Sequence, residues 1–370
     1  MAPADKKRPR GLKGVAAQKA AKKSKIENED DKTQTVILDK EVEEGDELGE
    51  VTALYESAKE KSAMGESTDV VLPLLRGTIH ECDRILRNWE AEEPIPASFH
   101  LTYGSALFDL GTMLDDKELN SFLDAAKERL DIGFDTLKEL DTLEESDKKT
   151  ESKLRIAMAK LILSNAREAD ENAKEVHSSI VKGLDHLKQA VSSGLLSADD
   201  ILEAINIAQT NADFQDVLQN MQPLNDWAQE QYTKLLNDDK ENVVALSGMG
   251  NCHLTLANYW LGKVDTLDDE ESDTKTELKE EETKAAEQLK KGIDYYKRVL
   301  SVPEIDLEVK GDNTINLAEA LINLANVTID EEEQQKKYQE AVTLLSEFKE
   351  QTGVELPEEL DSFVEEWNAQ

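Results

Sequence analysis

No set of residues in this chain has the types and spacing of a familiar catalytic centre. Its five histidines are scattered through 370 residues. His80 stands two residues before Cys82, and Cys252 is followed at once by His253. Neither arrangement has the ligand spacing that tetrahedral zinc sites use. The sequence contains no GxxxxGK[ST] loop, no GxGxxG turn, no HExxH, no GxSxG and no CxxC. Carboxylates stand close together throughout, but 80 Asp and Glu make that unavoidable, so their proximity does not point to acid–base catalysis. The reading is of a protein without catalytic residue, metal or cofactor, whose chemistry is recognition.

Two groups of residues suit recognition. The first is KKRPR, with Lys6, Lys7, Arg8 and Arg10, followed after an eleven-residue spacer by KKSK, with Lys22, Lys23 and Lys25. Two cation clusters on a tether can reach two acidic pockets, the pattern of a bipartite nuclear localisation signal read by an import receptor. A generic basic arm is the alternative. A mitochondrial presequence also fits the cations, but Ser24 is the only Ser or Thr among residues 1–26 and the stretch lacks an amphipathic face. Ser24 lies inside the second cluster, where a phosphate would add about −1.5 to −2 charge and weaken a cationic contact. The second group is Asn251 and Asn326, which hold the same slot in two helical repeats. Either they face an inner groove and bind a partner's backbone, or they bridge neighbouring helices. His253 and the aromatics Tyr259, Trp260, Tyr295 and Tyr296 recur at helical-repeat spacing and read as core.

These residues need a scaffold, and the composition supplies a helical one. Gly (17) and Pro (8) are sparse, β-branched runs such as TVIL are rare, and Ala, Leu, Glu and Lys dominate. The chain is long enough for one extended domain or two compact ones. From about Leu48 apolar residues recur every three or four positions: Leu48, Val51, Leu54, Tyr55, Ala58. A second helix follows over DVVLPLLRGTIHECDRILRNW, with Pro73 in its first turns or kinking it. Helical hairpins then repeat. YGSALFDLGTML, presenting Leu107, Leu110, Gly111 and Leu114, pairs with LNSFLDAAKERLDIGF, presenting Phe122, Ala125, Ala126, Arg129 and Ile132. NVVALSGMGNCHLTLANYW pairs with AEQLKKGIDYYKRVL, and AEALINLANVTI with KKYQEAVTLLSEF. A fainter copy runs from KLRIAMAKLILSNA to SIVKGLDHLKQAVSSG. Small residues at Gly111, Gly183, Gly250 and Ala325 let the paired helices approach. Gly194 is placed to end one helix in a left-handed cap, and Pro357 to start a last one. The expected fold is all-α: a degenerate tetratricopeptide-like helical-repeat solenoid over residues 48–370, behind a disordered basic/acidic tail over residues 1–47. The stretch 263–282 reads as an acidic insertion, either a solvated loop or a polar helix extension.

Charge divides the chain as well. Nine Lys and Arg against Asp5 give residues 1–26 a charge of +8, within a total of −37, so the remainder carries −45. Such a body repels nucleic-acid backbones and attracts basic proteins. No apolar run is long enough to span a bilayer. Cys82 and Cys252 lie in helical patterns far apart, as free buried thiols of a reducing compartment would.

With KKRPRGLKG at its start, an acidic linker, and the YGSALFDLG and AEALINLAN hairpins in a degenerate helical body, the chain resembles the fungal enhancer-of-translation-termination family. That family includes a fission-yeast nuclear negative regulator of a prolyl-hydroxylase-like dioxygenase. The resemblance implies a nuclear, non-enzymatic, all-helical adaptor. Its implied partner is a 2-oxoglutarate-dependent dioxygenase, and its implied outputs are translation termination and hypoxic gene expression. Only the basic motif, Lys6, Lys7, Arg8 and Arg10, carries over residue by residue. An acidic chaperone or import adaptor for basic proteins, such as histones or ribosomal proteins, is the competing expectation.

Overall fold

The structure, a computed structural model, describes residues 45–114, 116–167, 175–265 and 277–369. Among these residues all regular structure is helical. The chain divides into two compact units, with the boundary between Asn220 and Met221.

The N-terminal unit holds α1 (Glu47–Ala63), α2 (Thr68–Asn88), α3 (Ala97–Met113), α4 (Asp116–Lys138), α5 (Glu145–Ser164), α6 (Ser178–Ser192) and α7 (Ala198–Asp213). Successive helices pack as hairpins, α1 on α2, α3 on α4 and α5 on α6, while α1, α3, α5 and α7 pack side by side. Side-chain oxygens supply several helix starts. Asp46 accepts from the Gly49 amide at 2.9 Å, and Ser197 and Asp200 form a reciprocal capping box on α7. Each such cap is worth about 1 kcal/mol. The α6 helix stops, as expected, just before Gly194 at φ +69. Pro73 lies inside α2.

The α3–α4 hairpin forms where its sequence pattern placed it, but with α4 rotated. The buried line of α4 is Leu123, Ala126, Leu130 and Leu137 together with Gly133, whereas Ala125, Arg129 and Ile132 are only half-buried. Both stripes satisfy a three-and-four spacing. The choice between them is made by α3, where a Cβ on Gly104 would stand 2.8 Å from the Leu130 side chain.

The second unit begins within α8 (Leu218–Asp238), which, with α7, fills a stretch for which the repeat pattern offers no unit. It continues with α9 (Val243–Asp265), α10 (Glu280–Leu300), α11 (Leu307–Asn326), α12 (Glu331–Thr352) and α13 (Glu358–Asn368). Here α9 pairs with α10 and α11 with α12, as read from the sequence. The close approaches rest on small residues. A Cβ on Gly250 would meet the Tyr296 ring at 2.5 Å, one on Gly248 would overlap the Tyr232 ring, and Ala325 is fully buried. Asp330 caps α12, and Gly353 ends it at φ +69. Pro357 precedes α13, which lays Leu360, Phe363, Val364 and Trp367 on the preceding hairpin's core. Of the acidic insertion, residues 266–276 lie outside the described residues, and helix resumes at Glu280.

Candidate functional site

The first helix of each hairpin in the N-terminal unit contributes to one groove. Thr52, Tyr55 and Lys59 come from α1, Leu101, Phe108 and Asp109 from α3, Lys153, Ile156 and Lys160 from α5, and Asp200 and Glu203 from α7. This part encloses about 400 Å³. A second hollow of about 850 Å³ shares Phe108, Lys160 and Glu203 with it and extends along α7 past Asn206, Ile207 and Asn211. A space of this combined length suits an extended chain better than a small cofactor.

Asp109 lies at the centre of the groove. Its Oδ2 accepts from the Tyr55 hydroxyl and its Oδ1 from the Lys160 ammonium, both at 2.7 Å. Lys160 also lies over the Phe108 ring, 5.0 Å from its centroid, a cation–π contact that steadies the ammonium. Burial, and then the Asp109 charge, push the Tyr55 hydroxyl well above its usual pKa, so it stays a donor. Burial works against the charged Lys160, but the neighbouring carboxylate outweighs it and leaves the pKa above the ordinary lysine value. On the rim, Lys59 pairs with Glu203 at 3.0 Å and Lys153 with Asp200 at 3.1 Å. Burial raises Asp200, yet hydrogen bonds from Ser197 and Lys153 prevail and hold it below the usual carboxylate range.

The charges lining this hollow balance. Lys59, Lys149, Lys153 and Lys160 face Glu56, Asp109, Asp200 and Glu203. In so acidic a chain a balanced, partly apolar groove is a local exception. Along its extension, the buried Asn211 donates its Nδ2 to the Ile207 carbonyl at 2.7 Å, while its Oδ1 has no hydrogen-bond partner among the described residues. A buried carbonyl-type oxygen without a donor costs about 1–3 kcal/mol, which an incoming N–H would return.

The sequence-predicted residues fall elsewhere. Lys6, Lys7, Arg8, Arg10, Lys22, Lys23, Lys25 and Ser24 lie outside the described residues. Asn251 and Asn326 occupy equivalent places in the second unit and do equivalent things. The Tyr296 hydroxyl donates to Asn251 Oδ1 at 2.7 Å, and Tyr338 donates to Asn326 Oδ1 at 2.5 Å. Asn316 on α11 donates to the same Asn251 oxygen at 3.2 Å. His253 is a core histidine, with Nδ1 on Gln288 at 2.8 Å and its ring stacked on Tyr295. Burial, opposed by the Gln288 hydrogen bond, lowers its pKa. Of the four aromatics read as core, only Tyr296 is fully buried. Tyr259, Trp260 and Tyr295 are half-buried, each with a cation over its ring: Lys263, Lys284 and Arg298. The N-terminal groove itself is missing from the sequence reading. Its one local trace is the lysine spacing Lys149, Lys153, Lys160 along a single face of α5.

Comparison with known proteins agrees with the two-unit division. The family model described as "Nuclear pore complex subunit Nro1" matches residues 1–244, and that described as "Negative regulator of ofd1, C-terminal" matches residues 227–367. A Yarrowia lipolytica protein named Enhancer of translation termination 1 is 25% identical over 367 residues, covering 88% of this chain and 87% of its own length. The Schizosaccharomyces pombe protein Negative regulator of ofd1 is 26% identical over 357 residues, covering 88% and 84%. A crystal structure described as the S. pombe nuclear import adaptor Nro1 superposes with a TM-score of 0.53 at 23% identity, over 90% of this chain and 99% of that one. That likeness is one of fold.

Proposed function

Because this chain belongs to the Nro1 family and is a nuclear protein, we propose that it is a non-enzymatic adaptor whose N-terminal groove holds a partner protein. The partner we propose is a 2-oxoglutarate-dependent prolyl-hydroxylase-like dioxygenase, the partner implied by the resemblance to the enhancer-of-translation-termination family. Effects on translation termination and hypoxic gene expression would pass through that partner. The basic tail, through Lys6, Lys7, Arg8, Arg10, Lys22, Lys23 and Lys25, would engage a nuclear import receptor.

The observation that carries this reading is the groove: charge-balanced, built by four successive inner helices, and holding a buried amide oxygen that lacks a donor. In the second unit the side-chain oxygens of Asn251 and Asn326 each already accept from a tyrosine, so they are less open to a partner than the groove.

The test is binding of the purified dioxygenase to the wild-type chain and to a Lys149→Glu/Lys153→Glu variant. Wild-type binding at low micromolar concentration and at least a tenfold loss in the variant are expected. No wild-type binding would refute the partner, and equal binding would refute the groove. Histones in the same assay separate the acidic-chaperone alternative. Their binding would fall steeply with salt and would not depend on the groove lysines.

A further inference from the structure

The groove and the chain segment that runs into α1 are complementary. The described residues begin at Gly45, whose φ of +91 lies in a region that glycine enters freely, so the chain can reverse direction there. From Asp46 the chain passes directly into α1, which supplies Thr52, Tyr55, Glu56 and Lys59 to the groove. Just before Gly45 the sequence reads TVILDKEVEE, residues 35–44. It is the best β-branched apolar run of the chain, followed by four acids, Asp39, Glu41, Glu43 and Glu44, and one lysine. The groove offers the counterparts: an apolar floor of Leu101, Phe108, Leu130 and Ile156, and rim ammonium groups at Lys59, Lys149 and Lys153. Lys149 is exposed, whereas Lys59 and Lys153 are already paired with Glu203 and Asp200.

The lengths agree as well. Ten extended residues span roughly 33 Å, and the 17 residues of α1 span about 26 Å. A segment folded back at Gly45 would therefore run the length of α1 beside α3 and α5. As a tethered ligand it meets the groove at an effective concentration in the millimolar range, so a weak intrinsic fit suffices to fill it.

We propose that residues 35–44 dock into the groove of their own chain, with Val36, Ile37 and Leu38 on its apolar floor and the following acids on its lysine rim. An external occupant must displace this segment, so the segment sets a threshold for partner binding. The docking stands on the groove geometry and the segment's sequence; only its regulatory consequence rests on the adaptor reading.

The experiment uses the full chain and carbodiimide, which joins a carboxylate to an amine only at contact distance, with mass-spectrometric mapping. Wild-type monomer should give cross-links from Glu41, Glu43 or Glu44 to Lys59, Lys149 or Lys153. Substituting Val36→Asp, Ile37→Asp and Leu38→Asp, which leaves the acids and the tether in place, should reduce them at least fivefold. Cross-links that are absent, that survive the triple substitution, or that appear only in covalent dimers would overturn the proposal. Affinity for the purified dioxygenase then separates the two readings. The triple variant should bind it about fivefold more tightly if partner and segment share the groove. If the cross-links are lost but the affinity is unchanged, the docking stands and the groove reading of the partner falls.

Discussion

The two units build hairpins by the same rule and finish them differently. In the second unit two tyrosine hydroxyls are spent on neutral amides inside their own hairpins, Tyr296 on Asn251 and Tyr338 on Asn326. In the first unit they are spent on carboxylates between elements, Tyr55 of α1 on Asp109 of α3 and Tyr103 of α3 on Asp83 of α2. A neutral lock satisfies its groups and leaves little for a ligand. A carboxylate holding a phenol and an ammonium keeps charge at the floor of a groove. The difference suggests a division of labour, one unit rigid by closure and the other organised around an opening.

The largest expected effect tests that rigidity. In the second unit Gly250→Ala drives a methyl into the fully buried Tyr296 ring, which its hydroxyl bond holds in place. It should cost about 3 kcal/mol, the upper part of the overpacking range. In the first unit Gly77→Ala meets only the Cδ2 end of the half-buried Leu54 side chain, at 3.4 Å. That ordinary contact should leave stability within about 1 kcal/mol of wild type. Urea midpoints at unchanged m-value measure both. Equal costs would remove the distinction.

Acid and base should then discriminate between the units. Burial, and secondarily Arg129, lower the pKa of His100 in the first unit to about 4. A depressed histidine contributes stability that is complete above its unfolded value of about 6.5 and is lost as pH falls towards 4. In the second unit burial, and then the Glu359 charge, raise Glu319 to about 7. A raised carboxyl contributes stability that is complete below about 4.5 and is lost as pH rises through 7. The two units should therefore lose protection from hydrogen exchange at opposite ends of the pH scale. Each contribution is worth up to about 3 kcal/mol. Glu319→Gln should stabilise the second unit at pH 8 by about 2 kcal/mol and have little effect at pH 4.5. A variant less stable than wild type at pH 8 would contradict this.

Smaller effects refine the picture. Tyr338→Phe leaves the Asn326 oxygen without its phenol and should cost about 1 kcal/mol. Tyr296→Phe should cost no more, because Asn316 still donates to Asn251. Smallest of all, Lys59→Ala should change stability by less than about 0.5 kcal/mol, since the Lys59–Glu203 pair is largely exposed. Its effect belongs in binding, and chemical denaturation beside a binding titration would show the split.

The hairpins were legible in the sequence because each is local. Gly111 against Phe122, or Gly250 against Tyr296, lies within one repeat and imposes a small residue opposite a large one. The phase of α4 was not legible, because Ala125–Arg129–Ile132 and Leu123–Ala126–Leu130 satisfy the same periodicity and only the packing of α3 decides. Nor was the groove. Tyr55 and Asp109 lie 54 residues apart, Lys59 and Glu203 lie 144 apart, and a periodic pattern carries no information about which charges meet across four helices. The asparagines at 251 and 326 were found by their shared slot, but the slot alone could not say whether tyrosine or a partner would take their oxygens.

Cys82 has a further consequence. It is completely buried among α2 and its neighbours, and burial, then Asp83, raises its pKa to about 12. At neutral pH the thiol therefore stays protonated, and it is the thiolate that reacts with peroxides and disulfides. Cys252 is likewise completely buried. If the chain works beside an oxygen-consuming enzyme, its own sulfur is a poor reporter of oxidants. Any oxygen signal would then reach it as a change in the shape or availability of its partner, not as a covalent mark on itself.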